Sequence, residues 1–159
     1  MKDEFFLVLK PVSNEHEVEQ LRNIRNTCKD FMTRNTQEID AESQLKWWKN
    51  LDKKTNFPYL LFKVEHGVVC VTVGYGYVRI EDNQVLLTGG LLPVDRNMGH
   101  GKKLFEMMIN SSKKFNLPIR IEVLNTNTTA YEMYKKIGFK IISADDRITK
   151  MEYYYDSVI

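Results

Sequence analysis

The sequence is poor in the residues that staple small secreted folds or build metal centres. Two cysteines, Cys28 and Cys70, each in an apolar setting, are too few for a disulfide framework and lack zinc-site spacing. They fit the reduced core thiols of a cytoplasmic protein. Four prolines are scattered singly, and no repeat, low-complexity tract or linker is visible. Long apolar runs are also missing. Nothing approaches the ~18 residues of a membrane span, and the opening MKDEFFLVLKPV carries acids where a signal peptide needs a basic flank. Net charge is only +2, with signs interspersed. Nucleic acid and membranes are therefore not indicated as electrostatic partners, and any basic requirement is local.

What remains is a mixed chain of 159 residues, 43% of them apolar, which fits one domain over 1–159 with a core of its own. FFLVLKPV reads as a strand. Ser13 or Asn14 then offers a cap, with Glu17 completing a capping box, and Val18, Leu21, Ile24 and Cys28 follow at helical spacing. A second helix begins near Asp40, with Leu45 and Trp48 on one face. FPYLLFKV, VVCVTVGYGYVRI and QVLLTGGLL, separated by EHG and EDN, form an antiparallel meander. A helix with Leu104, Met108 and Phe115 in one stripe precedes IRIEVL, a strand with one apolar face. NTTAYEMYKKIGF is a helix stopped by Gly138, and KIIS and KMEYYY close the chain. The order is β-α-α-β-β-β-α-β-α-β-β, an α/β (α+β) arrangement of a mixed central sheet with helices on its faces.

Residues 96–104, RNMGHGKKL, stand where the meander passes into that third helix. Glycines at 99 and 101 permit positive φ and close approach to a ligand. The first N–H groups of a helix lack intrahelical acceptors, and with the helix dipole they make an anion site that Lys102 and Lys103 can reinforce. The stretch is not a Walker loop, because Arg96 stands where its first glycine belongs and Lys102 is followed by Lys. It is not a Rossmann fingerprint either, because Leu104 replaces the third glycine.

Arg96-x-x-Gly99-x-Gly101 after a strand ending in LLP resembles the acyl-CoA loop of the GNAT (GCN5-related) N-acetyltransferase superfamily. Asn127-x-x-Ala130-x-x-x-Tyr134-x-x-x-Gly138-Phe139 resembles that family's second motif, in the right order and at suitable distance. The resemblance is densest over 85–140. It implies two splayed strands, VLLTGGLL and IRIEVL, holding the pantetheine arm of acetyl-CoA, with the diphosphate on Asn97, Met98, Gly99, His100, Gly101 and Lys102. Arg96 would brace the loop or reach a phosphate. The N–H of Leu91 or Leu92 would donate to the thioester oxygen, Tyr134 would protonate the leaving thiolate, and Asn127 would cap its helix beside the cofactor arm.

The glutamate that many relatives carry on the strand before the loop is missing here. Glu122, or a water chain touching Glu81 or Asp82, is the candidate base, and a substrate amine of low pKa needs none. His16, His66 and His100 read as surface residues. The resemblance puts the acceptor among Phe31, Met32, Thr33, Arg34, Tyr75 and Tyr77, although the two tyrosines equally suit core packing. The implied activity is direct acetylation of a primary amine on a small molecule, with an amino sugar or sugar nucleotide suggested by a looser likeness of the N-terminal segment. Alternatives are a protein or peptide amine acetyltransferase and a non-catalytic acyl-CoA-binding module; low charge disfavours an RNA-directed enzyme. A homodimer using the KMEYYY edge is a further expectation.

Overall fold

Two-residue turns organise the first half of the chain. His66-Gly67 joins β2 (Asn56–Glu65) to β3 (Val68–Glu81), and Asp82-Asn83 joins β3 to β4 (Gln84–Leu91). All four turn residues have positive φ, from 52° to 74°, the type I′ backbone whose twist matches paired strands. The computed structural model describes residues 5–155 without the side chains of Val69 and Cys70, so the setting expected for Cys70 lies outside the described residues.

The remaining elements are β1 (Phe5–Pro11), α1 (Glu15–Thr27), α2 (Ala41–Lys49), α3 (His100–Ser112), β5 (Ile119–Leu124), α4 (Thr128–Ile137), β6 (Phe139–Ala144) and β7 (Ile148–Tyr153). Their order agrees with the sequence reading. Asn14 caps α1 by accepting from the Glu17 N–H at 2.9 Å, while Glu17 reaches back to the Ser13 N–H and pairs with Lys10. Asp40 caps α2 in the same way through the Ser43 N–H. The inward face of α2 differs from expectation: Gln44 and Trp47 point at the sheet, and Trp48 lies outside under Lys53. Every residue of a one-sided helix has neighbours at i+3, so the two tryptophans alone could not set its phase.

The seven strands lie in the order β1-β2-β3-β4-β5-β7-β6. On one face α3 packs Leu104, Phe105, Met108 and Ile109 against Val73, Val85, Leu87, Ile119, Ile121 and Val123. On the other, α1 packs Leu21, Ile24 and Cys28 against Leu60 and Tyr75. Every pairing is antiparallel except β4–β5, which is parallel and joins only Val85 to Ile119 and Leu86 to Arg120. Beyond Leu86 the two strands part. The gap opens at the ends that face the start of α3. Among the described residues no helix is long and apolar enough to cross a membrane.

Candidate active site

A cavity of about 1310 Å³ fills the gap and continues under the α1–α2 connection. Its lower end is built by main chain. Asn97 and Gly99 adopt positive φ, 65° and 82°, and turn the chain into α3 with no side-chain cap. Among the described residues no amide from Asn97 to Lys102 meets an acceptor; Lys103 is the first to bond, to the Gly99 carbonyl at 3.4 Å. A row of unspent donors at a helix N-terminus is an anion cradle. A Cβ at Gly101 would stand 3.2 Å from Met133 Sδ of α4, so this residue closes the wall at backbone distance. Lys102, exposed beside Glu106 at 3.8 Å, adds a cation at the rim.

One loop residue differs from its sequence reading, and the side chains of two others are now located. His100 is not a surface residue: it is 5% exposed, with its ring edge-on to Phe5 at 5.6 Å. Facing β1 from the first turn of α3, it offers the cradle its amide and not its imidazole. Met98 is 63% exposed and lies off the cavity wall. Arg96 braces rather than reaches. Its Nε donates to the Leu91 carbonyl at 3.1 Å and its Nη2 to the Thr27 carbonyl at 3.3 Å, while the guanidinium lies over Phe31 at 5.0 Å.

Ladder geometry separates Leu91 from Leu92. The Leu92 amide is spent on the Val73 carbonyl at 2.9 Å, while Val85, of opposite parity, donates to the Pro118 carbonyl across the sheet at 2.8 Å. Amides along an antiparallel strand alternate in direction, so those of Leu87, Gly89 and Leu91 face the gap. Leu92 is thus removed as a donor. The Leu91 carbonyl is held by Arg96 and by the Cys28 thiol at 3.4 Å, which fixes that peptide. Gly90 permits the packing: a Cβ there would lie 2.6 Å from Cys28 Sγ.

Tyr134 comes to the opposite wall from α4, which Asn127 caps by accepting from the Ala130 N–H at 3.3 Å. It is 8% exposed between Phe105 and Phe139. Its hydroxyl has no partner among the described residues yet is not sealed off, since Arg79 Nε is the one fully buried side-chain polar atom there without a partner. Burial pushes the phenol well above its usual pKa, which keeps the proton in place.

The upper end is closed by the connection 28–40. Asn26 exchanges two hydrogen bonds with Ile39, and Arg25 donates to the carbonyls of Asn35 and Gln37. Across the gap Arg34 donates through Nε and Nη2 to the two oxygens of Glu122, each at 3.0 Å, and through Nη1 to Glu81 at 2.8 Å. Thr33 adds a bond to Glu122 at 3.2 Å, and Arg147 donates to the Thr33 carbonyl at 3.0 Å. Phe31, Met32, Thr33, Tyr75 and Tyr77 all line this end. Tyr75 is buried, with its hydroxyl on Met32 Sδ at 3.6 Å, and Tyr77 donates to Asn56.

Glu122 is no free base. Hydrogen bonds from Arg34, opposed by desolvation, hold its carboxyl below the usual glutamate value, and its oxygens are occupied. Glu81 is shared with the same arginine. Sequence reasoning missed Gln44, Trp47, Arg25 and Cys28 as wall residues. Their only signal was helical spacing opposite the sheet, which core packing produces equally well.

No family model and no curated protein matches the sequence. Solved structures do match. A domain from Methanocaldococcus jannaschii aligns with a TM-score of 0.79 at 12% identity, covering 94% of this chain and 99% of that one. yncA of Salmonella typhimurium, described as an acetyltransferase and solved with its cofactor acetyl-CoA, aligns at 0.74 and 16% identity, covering 97% and 96%. The spermidine N-acetyltransferase of Vibrio cholerae, in complex with CoA and spermine, aligns at 0.73 and 14%, covering 92% and 94%. The splayed sheet, the amide cradle at α3 and the alignments over more than nine-tenths of the chain agree: this chain has the GNAT N-acetyltransferase fold.

Proposed function

We propose that this protein is an acetyl-CoA-dependent N-acetyltransferase that moves the acetyl group directly to a primary amine of a small molecule. The observation that carries the reading is the run of unspent amides from Asn97 to Lys102, opening into the cavity where β4 and β5 part. Those amides would hold the diphosphate of acetyl-CoA. The outward amides of β4 would bind the pantetheine arm as an added strand, in the manner of sheet augmentation. Structural neighbours solved with acetyl-CoA and with CoA support this use of the cradle.

The amine nitrogen attacks the thioester carbon; a C–N bond forms and the C–S bond breaks. The Leu91 amide, facing the gap, would donate to the oxygen on which negative charge grows, a contribution of ~2.7–4 kcal/mol when such a donor is preorganised. Tyr134 gives its proton to the departing sulfur and recovers one from solvent through the cavity. The nitrogen loses its proton to water, because Glu122 and Glu81 are tied to Arg34. The connection 28–40 roofs the acceptor end, which favours a small molecule over a protein chain.

A second reading, a CoA-binding module without turnover, draws on the absence of any carboxylate in β4 and on the pinned Glu122. Calorimetry with acetyl-CoA, followed by thiol release across a panel of amines, decides between them. Binding with thiol release supports the enzyme, binding without release supports the module, and no binding refutes both.

A further inference from the structure

The roofed end of the cavity has one feature the donor chemistry does not use. Most charged groups around it are engaged: Arg34 with Glu122 and Glu81, Arg25 on backbone carbonyls, Asp40 as the cap of α2. Arg79 pairs with Glu81 at 3.7 Å and its Nε is sealed from the cavity, while Glu38, exposed, borders the cavity without an ion pair among the described residues. Gln44 is different. It is 7% exposed, lies on the cavity wall, and its side-chain amide makes no hydrogen bond among the described residues. Its amide atoms are not sealed either, and the residue borders the cavity. The Thr88 hydroxyl on β4 lines the same cavity without a partner, and Trp47 and Tyr77, 5.7 Å apart, supply an apolar wall.

A buried amide left unsatisfied is costly, and a site built to bond a hydroxyl rejects analogues that lack it. Apolar walls with a few convergent polar groups are the common form of a specific small-molecule site. We propose that Gln44 reads a neutral hydroxyl of the acceptor, which makes the acceptor a hydroxylated primary amine of the amino-sugar or amino-polyol class and not a polyamine. This rests on the acetyltransferase reading and narrows it.

Binding is measured by calorimetry on the full chain with CoA present, so the readout does not depend on turnover. Glucosamine should bind at least about tenfold more tightly than spermidine or butylamine, the worth of one or two well-placed hydrogen bonds. Gln44→Leu should erase that preference with CoA affinity unchanged, and Gln44→Glu should move it toward spermidine by adding a charge. Absence of glucosamine binding, equal or tighter binding of spermidine or butylamine, or a Gln44→Leu protein that keeps the preference would overturn the proposal. Failure of the donor reading looks different, because CoA itself would then not bind.

Discussion

The two ends of the cavity are built by different means. At the donor end the wall is peptide: free amides, a glycine where a side chain would intrude, and an arginine whose work is to hold a carbonyl in place. At the proposed acceptor end the backbone is itself held by side chains, and side chains line the wall. Main-chain recognition constrains few residue types but constrains them tightly, since only glycine leaves amides open and walls close. Side-chain recognition leaves spacing free and identity specific. A shared donor and a particular acceptor call for this division.

The comparison can be broken first at the donor end. Gly101→Glu puts a carboxylate into the cradle beside Met133. Losing two charge-assisted bonds at about 1.5–3 kcal/mol each should weaken acetyl-CoA binding at least about 100-fold in calorimetry; unchanged affinity would end the cradle assignment. Tyr134→Phe removes the buried proton donor and should lower kcat about 100-fold with acetyl-CoA affinity intact, as stopped-flow thiol detection would register. Wild-type turnover would move the acid elsewhere.

The junction of the two ends comes next. Gly90→Val drives side-chain carbons into Cys28 and Tyr75, which a Cβ there would already meet at 2.6 and 3.2 Å, and should cost about 1–3 kcal/mol in urea unfolding. The acceptor end gives the smallest effect. Arg34→Met releases the connection from Glu122, yet Arg34 is half exposed, so the acceptor KM should rise at most about fivefold while that for acetyl-CoA stays put. The same tie has a pH signature. The Glu122 carboxyl is held below its unfolded value, so its stabilisation is present above about pH 4.5 and is lost as pH falls through the lower folded value. Chemical denaturation across pH 3–6 should show a loss in wild type that Arg34→Met lacks.

Legibility in the sequence followed the same boundary. The element order, a cap for α1 at Ser13 or Asn14, the start of α2 near Asp40, the cap at Asn127 and the loop before α3 were all readable, because local spacing and turn chemistry set them. The phase of α2 was not, since Leu45 and Trp48 form as good a stripe as Gln44 and Trp47 until a sheet lies on one side. His100 read as a loop histidine because nothing local announces that α3 turns it onto Phe5. Leu91 and Leu92 were indistinguishable because strand parity relative to a partner is a property of pairing.

The sequence alone determined which stretches become helix, strand and glycine-opened loop, for these are set by neighbours a few residues away. Only the tertiary structure decided which amides stayed unspent, which carboxylates an arginine captured from dozens of residues off, and which buried amide was left without a partner. Hydrogen bonds are satisfied or left open by whatever the fold brings within 3 Å or so, and that distance is not written along the chain.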